Sequence, residues 1–71
     1  MTKERVENWF THHPPADLAT INRYHAIREA GKALALAIQE HTPVGADQAA
    51  AIRKVREAVM TANAAIACEG K

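Results

Sequence analysis

The chain has 71 residues and a formal net charge of +1, from nine basic and eight acidic side chains with four histidines beside them. That balance excludes a polynucleotide coat or a polybasic membrane binder, both of which need a large excess of Lys and Arg. Hydrophobic residues make up 48% but aromatics only 4%, and alanine fills 16 positions, so much of the apolar content buries little surface. A chain of this size has difficulty stabilising a core alone. With Cys68 as the one cysteine there is no internal disulfide, and a Cys/His zinc set is disfavoured. Composition therefore predicts a self-associating protein whose core is shared between copies.

In chain order, Thr2 to Trp9 is charged and helix-compatible, but at about two turns it is too short to be stable alone. Pro14-Pro15 interrupts any helix, since each proline also restricts the residue before it. Asp17 is placed to cap a second helix over about Leu18 to His41, roughly 36 Å long. Its apolar positions Leu18, Ile21, Tyr24, Ile27, Gly31, Leu34 and Ile38 recur every three or four residues, with the stripe expected to centre near Ile27, Leu34 and Ile38. The turn Thr42-Pro43-Val44-Gly45-Ala46 is short, so the next helix must return antiparallel, with Asp47 expected as its cap. Ile52, Val55, Val59, Ala62 and Ile66 then form a near-heptad seam on a helix running to about Glu69. The expected fold is all-α: one domain over 1–71, with a short helix at about 2–9 and a long antiparallel hairpin of helices at about 17–42 and 47–69.

Apolar residues also occur off these seams. Leu36 falls among His25, Glu29, Lys32 and Gln39 on the far side of the second helix, and together with Ala26, Ala30, Ala33 and Ala37 it suggests contact surfaces on several sides. On the third helix, Ala51, Ala58 and Ala65 recur at intervals of seven. Small residues at that spacing permit close helix approach on additional faces, although alanine is also a good helix former when exposed.

Few residues point to catalysis. The chain has no serine, no HxxxH or HExxH spacing and no Gly-rich phosphate loop, since Gly31, Gly45 and Gly70 are isolated. The pair His12-His13 lacks further ligands at metal-binding spacing. No apolar run approaches the roughly 18 residues of a membrane span, and the N-terminus lacks a signal-peptide core. The expectation is a cytoplasmic, non-enzymatic protein without cofactor or metal, its lone thiol suited to a reducing compartment.

More informative is a set of polar residues beside the seams. Arg56 and Asn63 project about 50–70° from the centre of the third-helix stripe, with Met60 and Arg53 slightly further round. On the second helix Arg28 lies beside Tyr24, with Lys32 one turn on. Arginine with an aromatic can hold a phosphate and stack a base. The alternative is that these cations are spent in intrahelical pairs such as His25–Glu29 and Arg53–Glu57.

At these residues the sequence resembles a known family. Phe10-Thr11-His12-His13-Pro14-Pro15 is similar to the Phe-x-Tyr-His-Pro-Pro segment of the bacteriophage anti-CBASS cyclic-nucleotide sponges. Tyr24-His25-Ala26-Ile27-Arg28 resembles their Tyr-x-x-Ile-Arg, and the segment from Arg56 to Ala67 gives a third match in the same order. The resemblance covers about residues 9 to 68 and implies a helical hairpin assembled as a hexamer. It further implies binding of cyclic dinucleotides such as 3′,3′-cyclic GMP-AMP between protomers, without cleavage, in the cytoplasm of an infected host. Carried over residue by residue, it assigns Phe10, His12, His13, Pro14, Tyr24, Arg28 and Lys32 to a cyclic dinucleotide. Arg56, Met60 and Asn63 are assigned to a cyclic trinucleotide. His12 stands where the family has Tyr; its imidazole can stack but offers less surface and adds a possible charge. The hairpin is shared with anti-Thoeris sponges, whose ligands are cyclic ADP-ribose isomers, so that ligand class is a second reading. A third is a ligand-free helical oligomerisation or adaptor module.

Overall fold

Three helices follow one another in the computed structural model: α1 (Lys3–Trp9), α2 (Leu18–His41) and α3 (Ala46–Ala67). The structure describes residues 1–12 and 17–70, and contains no strand among them. The all-helical reading with a long hairpin agrees with this architecture; the break assigned to Pro14-Pro15 lies outside the described residues.

Each helix starts and stops for a local reason. Thr2 caps α1, its side chain accepting from the Arg5 N–H at 3.2 Å. Asp17 caps α2 as the sequence suggests, with Oδ1 accepting from the Thr20 N–H at 2.8 Å. That bond from the Thr20 backbone, then one from the Thr20 side chain, and lastly the charge of Arg23 hold the Asp17 carboxyl below its ordinary range. Asp47 does not cap α3. Gly45 is the N-cap, with no side-chain bond, and Asp47 sits inside the first turn. There its charge still faces the positive end of the helix dipole, which explains why an acid is favoured at either position.

The C-terminus of α3 stops two residues earlier than the apolar pattern suggests. Cys68 is the C-cap, Glu69 turns into the left-handed region at φ 53°, and Gly70 follows at φ 75°. The Gly70 N–H then donates to the Ala65 carbonyl at 2.9 Å and the Glu69 N–H to that of Ile66 at 3.2 Å. This is the pairing of a Schellman cap, which satisfies carbonyls the helix end would leave bare.

The hairpin closes on two features. At the turn, the Gln48 side-chain amide donates to the carbonyls of Gln39 and Thr42, at 3.2 and 3.1 Å. Further along, Gly31 faces Val55 and Val59, and its missing Cβ lets α2 and α3 approach closely. Ile52, Val55, Val59, Ala62 and Ile66 all lie half-buried along the α3 seam, as expected. On α2 the seam centres on Gly31 instead of Leu34. Ile27 and Ile38 are half-buried, whereas Leu34 is turned out. Val55 and Val59 pack against Gly31, where there is no side chain, and Leu34 is rotated about 60° from it.

This packing leaves almost no interior among the described residues. No large side chain is fully buried among the described residues, and Cys68, at 9% exposure, is the one buried apolar residue. The accessible surface is 5781 Å², about 1,400 Å² more than a compact monomer of this mass presents. The radius of gyration is 15.0 Å, where about 11 Å is typical for this length.

Candidate functional site: one basic flank and one apolar groove

The two closure points fix the antiparallel register. With Gly31 opposite Val55 and Val59 and Gln48 bonded to Gln39 and Thr42, Arg28 stands level with Met60 and Lys32 with Arg56. Rotation then decides which side of the hairpin each residue occupies. Turning around α2 from Gly31, Tyr24, Arg28 and Lys32 lie at about 20°, 60° and 100° in one sense. Turning around α3 from the Val55–Val59 line, Asn63 and Arg56 lie at about 60° and 80° in the same sense, with Met60 at about 120°. In an antiparallel pair, equal senses of rotation fall on the same broad side. Tyr24, Arg28, Lys32, Arg56 and Asn63 therefore share one flank.

The cations on this flank are exposed, and none is engaged by an ion pair among the described residues. Ion pairs there join Lys3 to Glu7 at 3.8 Å and His41 to Glu40 at 3.9 Å. The suggested pairs His25–Glu29 and Arg53–Glu57 are absent from these residues. Tyr24 is half-buried and can present a ring face beside Arg28. Asn63 is half-buried as well, and its Oδ1 is shielded from water with no hydrogen-bond partner among the described residues. An acceptor in that state costs free energy until a donor arrives, about 1–3 kcal/mol.

The second feature lies on the outer surface of α3, turned away from α2. There Trp9, Phe10 and Met60 wall an apolar groove of about 540 Å³ over Thr61, Ala64 and Ala65, with Cys68 and Gly70 at its end. Here α1 meets the end of α3, where the Cys68 thiol donates to the Asn8 carbonyl at 3.9 Å. The groove gathers Phe10 and Met60, which the sequence reading assigned to different ligands, and Tyr24, Arg28 and Lys32 are not among its walls. His12 is described and exposed, whereas the assignments to His13 and Pro14 lie outside the described residues. Ala64 was not singled out. The four-residue steps Met60, Ala64 and Cys68 mark that face, but nothing in the sequence shows that α1 folds back onto it.

The family model for the Acb2/Tad1 hairpin domain matches residues 2–67, spanning all three helices. The chain belongs to the Acb2/Tad1 hairpin family. This is the family of the anti-CBASS and anti-Thoeris sponges, so membership identifies a sponge-type anti-defence protein. No curated protein and no solved structure matches the chain. The Acb2/Tad1 match begins at Thr2, so α1 is part of the family's hairpin unit. None of the described helices is long and apolar enough to cross a membrane.

Proposed function

We propose that this protein sequesters a cyclic oligonucleotide second messenger between copies of itself, without cleaving it, and so blocks CBASS immunity during phage infection. The observation that carries the reading is the exposed flank of Arg28, Lys32 and Arg56, which no ion pair among the described residues occupies, on a hairpin of a sponge family. Its principal ligand is a cyclic dinucleotide such as 3′,3′-cyclic GMP-AMP. Arg28 holds a phosphate through charge-assisted hydrogen bonds, Lys32 adds a second cation, and Tyr24, Phe10 and His12 supply stacking surface. Arg56, Met60 and Asn63 serve a cyclic trinucleotide, with the shielded Asn63 Oδ1 accepting from a base amine.

Self-assembly is part of the same proposal. A protomer carrying about 1,400 Å² of excess surface gains most from association with other copies, and a hexamer repeats the binding site symmetrically. Sequestration requires no nucleophile, general base or metal. A nanomolar constant corresponds to about 12 kcal/mol, within reach of Arg–phosphate contacts and base stacking repeated across an interface. A polymeric nucleic acid or a membrane is not the expected partner of a chain with net charge +1.

Replacing Arg28 by Ala tests the site. Titration calorimetry with 3′,3′-cyclic GMP-AMP should show affinity reduced by about 10- to 100-fold, while the assembly mass stays the same. Unchanged affinity would remove Arg28 from the site. The joint family description favours one second reading, a cyclic ADP-ribose isomer as ligand. Competition between the two ligand classes separates them.

A further inference from the structure

On the basic side of the hairpin, Arg53 is the one Arg or Lys without a place in the proposed contacts. It precedes Arg56 by three residues, a spacing that makes helical side chains neighbours, with Cβ atoms about 5–6 Å apart. Turning around α3 from the Val55–Val59 line, Arg53 lies at about 140°, in the same sense as Arg56 at about 80°. Lys32 stands level with Arg56 on α2, so three cations border one patch. All three are exposed, and none makes an ion pair among the described residues. The carboxylates Glu29 and Glu57 lie further round, at about 160° and 180° on the outer edges of α2 and α3. Glu57, although four residues from Arg53, does not pair with it among the described residues.

Three like charges bordering one patch repel, and like-charged neighbours one turn apart weaken a helix. An anion among them removes that repulsion and gains a charge-assisted contact with each. The patch lies about 6 Å along the hairpin from the level of Arg28 and Met60. That distance is comparable to the step between successive phosphates of a nucleotide chain, so the anion that fits is a phosphate diester. We infer that Arg53 is a further phosphate-binding residue: with Arg56 and Lys32 it seats one phosphate of a cyclic trinucleotide. The trinucleotide is chosen because Arg56 and Met60, proposed for it, flank Arg53 in rotation on the same helix. This inference rests on the reading of the flank as a cyclic-oligonucleotide site. It adds a residue that neither the resemblance nor the proposed contacts assign.

Lys54, the next residue in the chain, supplies the control. It is exposed as well, but lies at about 120° in the opposite sense, across the hairpin. Arg53→Gln and Lys54→Gln therefore remove the same charge from opposite sides. Titration calorimetry of the full chain with cyclic tri-AMP, at low and moderate salt, reads affinity and its salt dependence. Arg53→Gln should weaken binding about tenfold and flatten the decline of affinity with salt, because one cation fewer faces the trinucleotide. Lys54→Gln should change neither, and Arg53→Lys should restore the salt dependence. Wild-type affinity and salt dependence in Arg53→Gln overturn the inference. An equal effect of Lys54→Gln also overturns it, since net charge would then be the cause. A loss accompanied by a lower assembly mass overturns it too, by giving Arg53 a structural role. Wild type binding 3′,3′-cyclic GMP-AMP but no cyclic tri-AMP removes this seat alone. Wild type binding neither contradicts the reading of the flank itself.

Discussion

Gly31 and Val59 face each other across the α2–α3 seam with no room for a side chain at residue 31. A Cβ at residue 31 would overlap Val59 Cγ2 and lie 3.8 Å from Val55 Cγ1. Valine is branched at Cβ and stiff in a helix, so it has little room to yield. Gly31→Ala would gain about 1 kcal/mol of helix propensity in an unconstrained helix. Here overpacking opposes that gain with about 1–3 kcal/mol. Urea denaturation at fixed protein concentration should therefore show a net loss of about 1 kcal/mol. The double variant Gly31→Ala/Val59→Ala should be more stable than the sum of the two single changes, by about 1–2 kcal/mol of coupling. A stabilised single variant would mean that the helices stand further apart.

Glu69 occupies a position that favours glycine. Its φ of 53° carries the Schellman cap, and a side chain in that region costs about 1–2 kcal/mol. Glu69→Gly removes the steric cost but gives the unfolded chain more freedom. The net expectation is stabilisation by about 0.5–1 kcal/mol, read as a higher denaturation midpoint. A lower midpoint would show that the Glu69 side chain contributes more than its backbone costs.

These two positions show how far the sequence was legible. Three helices, the antiparallel return and the α3 seam follow from period and punctuation, because each of those signals is local. The role of Gly31 was only half visible: the pattern placed it in the stripe, but close approach depends on both helices together. Asp47 looked like a cap because acids are favourable throughout the first turn, so the sequence does not distinguish cap from interior. The groove was not legible as a unit, although Phe10 and Met60 were named singly. It depends on α1 reaching Cys68 across 60 positions through the Asn8 carbonyl, and no periodicity encodes that return. The cations of the flank were visible individually, but their common side emerged once the register was fixed.

Asp17 gives α2 a pH-dependent start. Its carboxyl is held below the ordinary value of 3.8 by the Thr20 backbone bond first and the Thr20 side chain second. A lowered folded-state pKa means that its stabilisation is complete above the unfolded value and is lost as pH falls through the folded one. Asn caps about as well as Asp and does not titrate. Comparing thermal midpoints at about pH 6 and about pH 3, wild type should lose more than Asp17→Asn does. Equal losses would show that the Asp17 cap does not drive acid destabilisation.

The central claim is capture without chemistry, and one measurement addresses it directly. The protein is incubated with a mixed pool of cyclic dinucleotides, cyclic trinucleotides and cyclic ADP-ribose isomers, freed of unbound material and heated. The released compounds are then weighed by mass spectrometry. The prediction is a cyclic oligonucleotide recovered intact, a dinucleotide foremost. Linear products would make the protein an enzyme, and an empty eluate would make it a helical assembly without a small ligand.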